Sequence, residues 1–142
     1  MAELPNPTVE NDMVLTNFIV SNDIERSLKF YVDVLGGEVA RKSDEGPAIV
    51  RLANSWIIIN SGGGPTDDKP DVTLEVPTDP TRTSAFLNIR VADIHAVHAK
   101  WASLGAEFLT DPKDHEFEIR CYMRDPDGHL IEVGQAIQGT AS

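Results

Sequence analysis

The chain has 142 residues, of which 41% are hydrophobic, and this length and composition suit one globular domain with a buried core. The 12 basic residues are outnumbered by 23 acidic ones, and a surface with a net charge of −11 repels nucleic acid and anionic membranes. No apolar stretch is long enough to span a bilayer, and the acidic first 13 residues do not resemble a secretory signal, so we expect a cytoplasmic protein. The single cysteine, Cys121, excludes an intramolecular disulfide and a CxxC metal site, and its apolar surroundings favour a buried thiol.

The chain opens with a predicted strand followed by a helix. Residues 14–20 are apolar and β-branched, which is typical of a strand, and Asn22 or Asp23 can cap the helix that follows. Gly36 is expected to end this helix in a left-handed conformation. The buried face of the helix is predicted to comprise Ile24, Leu28, Tyr31 and Leu35.

Three shorter strands are predicted after the first helix, at 37–42, 48–52 and 56–61. A polar, glycine-rich linker over 62–83 comes next, with an additional strand predicted at 72–76. A linker of this length is typical of a lid or a dimer arm, and a passive tether is the alternative.

The second half of the chain repeats this plan. A strand at 86–91 precedes a helix that Asp93 caps and Gly105 ends. Further strands are predicted at 107–109, 118–124 and 129–135, and the sequence Asp125-Pro126-Asp127-Gly128 is a strong hairpin turn. The buried face of the second helix is predicted to comprise Ile94, Val97, Trp101 and Leu104.

The spacing of matching residues indicates a duplication. Asp23 and Asp93 are 70 positions apart, and Gly36 and Gly105 are 69 apart. We therefore predict an α+β fold made of two tandem βαβββ modules in one structural domain. The predicted boundaries are a flexible N-terminus at 1–12, modules at 13–61 and 84–135, the linker at 62–83 and a flexible C-terminus at 136–142.

Short sequence motifs at 23–31, 34–37, 90–94, 104–107 and 124–132 resemble the vicinal oxygen chelate superfamily over residues 14–135. That superfamily includes glyoxalases, extradiol dioxygenases, fosfomycin-resistance enzymes and bleomycin-binding proteins. The resemblance implies that the two sheets form an incomplete barrel or cup around a small-molecule ligand, and it favours a homodimer.

The resemblance also locates four positions that hold a metal ion in some members. In this chain they fall on Asn17, near Ile58, on Phe86 with Leu87 beside it, and on Glu132. Only Glu132 matches, and Asn17 is a weak substitute because its side chain supplies no charge. Catalytic metal sites usually need about three protein ligands, so the matching residues are too few. A divalent ion (Mn, Fe, Zn or Ni) held by Glu132 and Asn17, with Glu75 as a third ligand, stays an open alternative.

Several side chains are candidates for the site itself. Glu132 interrupts an apolar strand, and a buried carboxylate needs a partner, so we predict that it lies in a pocket. His115, in a charged loop, is a candidate general base that would act with Glu132 in catalysis. Arg120, Tyr122 and Arg124 alternate along one strand and could clamp a ligand, or else face solvent. The predicted ligand-binding residues are Asn17, Trp56, Phe86, Arg120, Tyr122 and Glu132.

Two functions follow from the resemblance and the ligand count. The first is a small-molecule-binding protein that sequesters a drug or metabolite without a metal. The alternative is a divalent-metal-dependent lyase, isomerase or dioxygenase, in which the ion acts as a Lewis acid.

Overall fold

A computed structural model describes Pro7, residues 12–44 and residues 46–137. These residues form two compact units that divide between Val76 and Pro77, within the predicted linker. The predicted flexible termini lie almost entirely outside the described residues. No helix in the described part of the chain has the length and apolar character needed to cross a membrane.

The first unit has one helical segment and one open four-stranded sheet in the order β1-β4-β3-β2. Strand β1 runs parallel to β4, and the other pairs are antiparallel. The elements are β1 (Asn17–Val20), α1 (Ile24–Lys29), a π-helical turn (Phe30–Val34), β2 (Glu38–Arg41), β3 (Ala48–Leu52) and β4 (Ser55–Asn60).

The first helical segment begins as predicted and ends with a feature that was not predicted. The Asp23 carboxylate accepts a hydrogen bond from the backbone N–H of Arg26, which caps the helix. The last turn widens into the π-helical segment, where Leu35 N–H donates to the Phe30 carbonyl. Gly36, with φ +82°, then ends the helix as expected.

The two faces of the first sheet differ in burial. Alternation along paired strands places Val50, Ile57 and Ile59 on one face, and each is at most 2% exposed. Because the opposite face is more exposed, the first face is the one that α1 covers. On that opposite face Ile49 and Trp56 pack with Ala40, and Val14 and Ile58 extend this second apolar cluster.

The second unit repeats the plan with an open sheet in the order β5-β9-β8-β6 and a short β7 paired to β8. Strand β5 is parallel to β9, as β1 is to β4. The elements are β5 (Leu87–Arg90), α2 (Ile94–Ser103), β6 (Glu107–Phe108), β7 (Lys113–Asp114), β8 (Glu118–Arg124) and β9 (Leu130–Ala136).

The first turn of helix α2 is capped by its own Asp93 and is joined to the sheet by Gln135. The Asp93 carboxylate accepts from Ala96 N–H, as predicted, and Gln135 Oε1 on β9 accepts from Ile94 N–H at 2.8 Å. The side chain of Gln135 therefore identifies the face of β9 that α2 covers. Ile131 and Val133 lie on this face, and neither is exposed.

Cys121 also lies on this covered face and is 1% exposed. Burial raises the pKa of its thiol to about 11, which keeps the thiol neutral and unreactive at physiological pH. The predicted structural role of Cys121 fits this environment.

Besides the π-helical turn, three sequence-based expectations differ from the described structure. Leu104, predicted on the buried face of the second helix, is 48% exposed, because the helix ends at Ser103 and Leu104 lies at its C-terminal cap. The strand predicted at 72–76 is reduced to an isolated bridge between Gly63 and Leu74. The short strand β7 was not predicted, because Lys113 and Asp114 carry neither apolar alternation nor β-branched side chains.

Candidate functional site

The candidate site contains Glu132, which lies on the face of the second sheet opposite α2. It is the most buried acidic side chain on that face. It is 7% exposed and pairs with Asn88 on one side and with Tyr122 on the other. Residues paired in this way point to the same face, so β5, β8 and β9 bring three polar side chains together.

Both carboxylate oxygens of Glu132 accept hydrogen bonds from this face. Oε1 accepts from the Tyr122 hydroxyl at 2.7 Å, and Oε2 accepts from Asn88 Nδ2 at 2.9 Å. The Arg90 guanidinium lies 3.4 Å from Oε2 and supplies the positive charge. A buried carboxylate with a cation and two neutral donors is satisfied within the protein itself.

Arg90 extends the network to the edge of the sheet. Its Nη1 also lies 3.4 Å from Glu118 Oε1, and Arg120 lies 3.9 Å from the same oxygen. A Cβ atom at Gly134 would collide with the Arg90 guanidinium. Glycine at this position therefore allows the guanidinium to lie across β9 and reach Glu132.

The network changes the acidity of Tyr122. Its hydrogen bond to Glu132 raises the pKa of the phenol, and burial and the charge of Glu132 raise it further. The phenol consequently stays protonated at neutral pH and keeps donating to the carboxylate.

An open pocket of about 330 Å³ lies beside this network, entirely within the second unit. One wall is formed by Pro77 and residues 79–83, the end of the predicted linker. The other walls come from the sheet and its turns, and comprise Phe86, Leu109, Tyr122, Arg124, Gly128 and Leu130.

Arg124 links these walls. Its Nη2 donates to the Pro80 carbonyl at 2.8 Å, and its Nη1 is 3.4 Å from the Gly128 carbonyl. Phe86 meets Tyr122 edge to face, with ring centroids 6.1 Å apart. The pocket therefore combines aromatic and aliphatic surface with a few fixed polar groups, which is the usual composition of a small-molecule site.

The structure brings some of the predicted site residues together in this unit. Phe86 and Tyr122 line the pocket, and Glu132 lies beside Tyr122 on the neighbouring strand, hydrogen-bonded to it but outside the pocket lining. Arg120 shares their sheet face but pairs with Glu118 and does not line the pocket. His115 is exposed between β7 and β8, where its backbone N–H donates to the backbone carbonyl of Glu118, and it does not line the pocket either.

The other two predicted residues lie in the first unit, on opposite faces of its sheet. Asn17 shares the covered face with Ile57, and its Nδ2 donates to Ser55 Oγ at 3.1 Å. Trp56 lies on the other face in the second apolar cluster, with the Arg51 guanidinium 4.8 Å from its ring centroid.

The surroundings of Glu132 do not fit a divalent cation. A metal ion at this carboxylate would lie next to the Arg90 guanidinium and would compete with the hydrogen bonds from Tyr122 and Asn88. Across residues 12–44 and 46–137, no three His, Cys, Asp or Glu side chains are grouped so that they could hold a metal ion.

Sequence reasoning missed Asn88 and Arg90, which complete the network. Along β5 these two polar residues alternate with the apolar Leu87 and Ile89, and this alternation was a usable signal for a polar sheet face. The parallel register that places Asn88 beside Glu132 has no local signature, since the two residues are 44 positions apart.

Two tandem βαβββ units, each with one helical segment on an open sheet, define the class of α+β fold that the sequence predicted. The chain belongs to the Glyoxalase/Bleomycin resistance protein/Dioxygenase superfamily, whose family model matches residues 12–133. The resemblance inferred from the short sequence motifs is thereby confirmed.

Solved structures with the same fold are distant in sequence. A glyoxalase/bleomycin resistance protein/dioxygenase from Nocardioides is similar with a TM-score of 0.72 and 19% identity, over 94% of this chain and 89% of that one. TnmS3, an antibiotic binding protein from Streptomyces sp. CB03234, is similar with a TM-score of 0.65 and 18% identity, over 92% of this chain and 100% of that one. A glyoxylase/bleomycin resistance protein/dioxygenase domain from Frankia sp. EAN1pec is similar with a TM-score of 0.67 and 21% identity, over 92% of this chain and 96% of that one.

Proposed function

We propose that this protein binds an apolar or aromatic small molecule in the pocket of its second unit, without a metal ion, and so sequesters a drug or metabolite. The observation that carries the proposal is the pocket of about 330 Å³, walled by Phe86, Tyr122, Leu109 and Leu130. Its volume falls at the lower end of the range typical of small-molecule sites, about 300–1,000 Å³.

The state of Glu132 supports a binding role over metal-assisted chemistry. The carboxylate is neutralised by Arg90 and hydrogen-bonded to Tyr122 and Asn88, so it serves to fix the pocket wall. TnmS3, which has a similar fold, is an antibiotic binding protein, and this similarity supports the proposal of a binding role.

Titration with a small aromatic probe tests the proposal. We expect indole, followed by saturation-transfer NMR and calorimetry, to bind with a Kd that rises at least 5-fold in Phe86→Ala, because that variant removes an aromatic wall. Phe117→Ala is the matched control, since Phe117 is also an exposed phenylalanine of the second unit but does not line the pocket. Equal weakening in both variants, or no binding to either variant or the parent, would contradict the proposal.

Metal titration distinguishes the proposal from the metal-dependent alternative. We expect Mn²⁺, Fe²⁺, Zn²⁺ and Ni²⁺ to leave the melting temperature unchanged. A rise in melting temperature with one of these ions, lost in Glu132→Ala, would favour a metal-dependent lyase, isomerase or dioxygenase.

The proposal extends to assembly and location. We propose a homodimer in the cytoplasm. Both sheets are open, with β1 and β5 as edge strands, and a second copy of the chain can cover such edges. Sedimentation equilibrium tests the dimer, and a mass matching 15.5 kDa would contradict it.

A further inference from the structure

The hydroxyl groups that line the pocket share one property. Tyr122 donates its hydrogen to Glu132 Oε1 at 2.7 Å, Thr81 donates to Asp79 Oδ1 at 2.6 Å, and Thr83 donates to the Ala85 carbonyl at 3.0 Å. Each hydroxyl has a single hydrogen and two acceptor lone pairs. Because each hydrogen is already donated to an acceptor of the protein, each oxygen can offer a ligand only its lone pairs.

The remaining polar side chains of the pocket are one acceptor, Asp79, and two arginines whose N–H donors are partly engaged by the protein. Asp79 is a lining carboxylate, and hydrogen bonds from the hydroxyl and backbone N–H of Thr81 lower its pKa, so it is an acceptor at neutral pH. Arg124 directs two of its nitrogens toward the carbonyls of Pro80 and Gly128. Arg82 pairs with Asp79 at 3.7 Å, and its side chain is 87% exposed, so water competes for its donors.

We infer that the pocket selects aromatic ligands that carry N–H or O–H donors and discriminates against isosteric ligands that carry only acceptors. This inference rests on the proposed function and specifies the ligand class that the site would take. Glu132 is then a positioning residue, because it does not line the pocket but sets the direction of the Tyr122 hydrogen.

Three bicyclic aromatic probes of similar size separate this inference from mere hydrophobic binding. Indole has an N–H donor, 1-methylindole has neither donor nor strong acceptor, and quinoline has only an acceptor. Calorimetry at pH 7 should give a Kd for indole about 3- to 10-fold lower than for the other two, the difference that one net hydrogen bond produces.

Glu132→Gln should reverse this preference. Asn88 and Arg90 are donors beside Oε2, so the glutamine amide should turn its oxygen toward them and its NH₂ group toward Tyr122. Tyr122 would then accept from the amide, and its own hydrogen would be free to point into the pocket. Quinoline should bind more tightly than in the parent protein, and indole more weakly.

Two further variants complete the experiment. Tyr122→Phe should narrow the gap between indole and quinoline, leaving only what Thr81 and Thr83 contribute. Glu38→Gln removes one exposed carboxylate charge from the first unit and should leave all three affinities unchanged. Circular dichroism and thermal melting confirm that each variant is folded before its affinities are compared.

The outcomes separate the inference from the proposed function. If all three probes bind with equal Kd, or if Glu132→Gln leaves the preference unchanged, the pocket binds aromatic ligands but the donor preference is wrong. If none of the probes binds the parent protein, the proposed function fails and the inference fails with it.

Discussion

The two units have the same sheet frame but opposite chemistry on the face that their helices leave uncovered. The pairing registers superimpose position for position, with β1-β4-β3 corresponding to β5-β9-β8. In the first unit the three central positions on this face are apolar, and in the second they are polar. The corresponding pairs are Phe18 and Asn88, Ile58 and Glu132, and Ile49 and Tyr122.

This contrast separates what the fold requires from what the site requires. The covered faces must be apolar in both units, because each helix buries its apolar face against its sheet. The opposite faces are free to diverge. A polar set is tolerated there only when each buried group has a partner, as Glu132 has in Arg90, Asn88 and Tyr122.

The largest expected effect tests the similarity of the covered faces. Ile57 and Ile131 occupy the same position in the two sheets and are 2% and 0% exposed. Substituting either by alanine should lower the free energy of unfolding by about 2–5 kcal/mol, through lost burial and a residual cavity. Urea unfolding measures both variants, and a loss below about 1 kcal/mol in either one would break the equivalence.

The next effect tests the divergence of the uncovered faces. Glu132→Ala should cost about 2–4 kcal/mol, because it removes the acceptor of the partly buried Tyr122 hydroxyl and the buried counter-ion of Arg90. The lower part of this range is expected, since the Arg90 side chain is 34% exposed and water can solvate its charge.

Substitution by alanine at the equivalent position of the first unit, Ile58, is the control for Glu132→Ala. Ile58→Ala removes only partly buried apolar surface and should cost about 1–2 kcal/mol. If Ile58→Ala proved the more damaging of the two, the polar network would not be a stabilising feature of the second unit.

A smaller effect, with a distinctive pH dependence, is expected for Tyr122→Phe. The loss of one hydrogen bond should cost about 1 kcal/mol near neutral pH. The pKa of Tyr122 is raised in the folded protein above its ordinary value of 10.0, first by the hydrogen bond to Glu132. The stabilising contribution is therefore complete below pH 10 and is lost as the pH rises through the folded-state pKa.

Unfolding curves for the parent protein and Tyr122→Phe at several pH values between 8 and 11.5 measure this dependence. The stability difference between the two proteins should be constant at the lower pH values and should shrink in the most alkaline samples. A difference that stays constant over the whole series would mean that Tyr122 does not donate to Glu132.

The smallest expected effect concerns Arg51 and Arg124, which occupy equivalent positions in the first and second sheets. Arg124 holds the 77–83 segment through the Pro80 carbonyl, whereas Arg51 stacks on Trp56. Arg124→Ala should change the free energy of unfolding by less than about 1 kcal/mol, because the bond is largely exposed. Trypsin should nevertheless cleave after Arg82 several times faster, as mass spectrometry would detect.

Arg51→Ala is the matched control and should leave the cleavage rate at Arg82 unchanged. If both variants accelerated cleavage equally, general loosening of the protein would explain the result and Arg124 would have no special role at this segment.

Local sequence patterns predicted most of the frame. The strands Ala48–Leu52 and Glu118–Arg124 match their predicted bounds, and Asp23 and Asp93 cap the helices as expected. These features depend on residues that are close in sequence, so alternation and capping chemistry are sufficient to find them. The π-helical turn at Phe30–Val34 was missed because its apolar spacing is indistinguishable from that of an α-helix.

The site was predictable only in part, because its geometry depends on pairing between distant strands. Glu132 was recognisable as a carboxylate in an apolar strand, and Phe86 and Tyr122 as aromatic candidates. In the two sheets Asn17 corresponds to Leu87, on the covered face, and Phe18 corresponds to Asn88, on the opposite face. The sequence comparison had matched Asn17 with Phe86, one residue away, and only the strand register corrects this. Sequence spacing alone did not specify that register.

Strand β9 carries out two tasks with alternate residues, since Gln135 and Val133 face α2 while Glu132 and Leu130 face the opposite side. A slip of one residue would bury Glu132 beneath the helix and turn Val133 toward Tyr122. A ligand that requires the Tyr122–Glu132 pair would therefore bind only chains in which β9 has paired correctly. Ligand affinity during refolding would thus report on strand alignment, and the ligand itself would enrich the correctly aligned population.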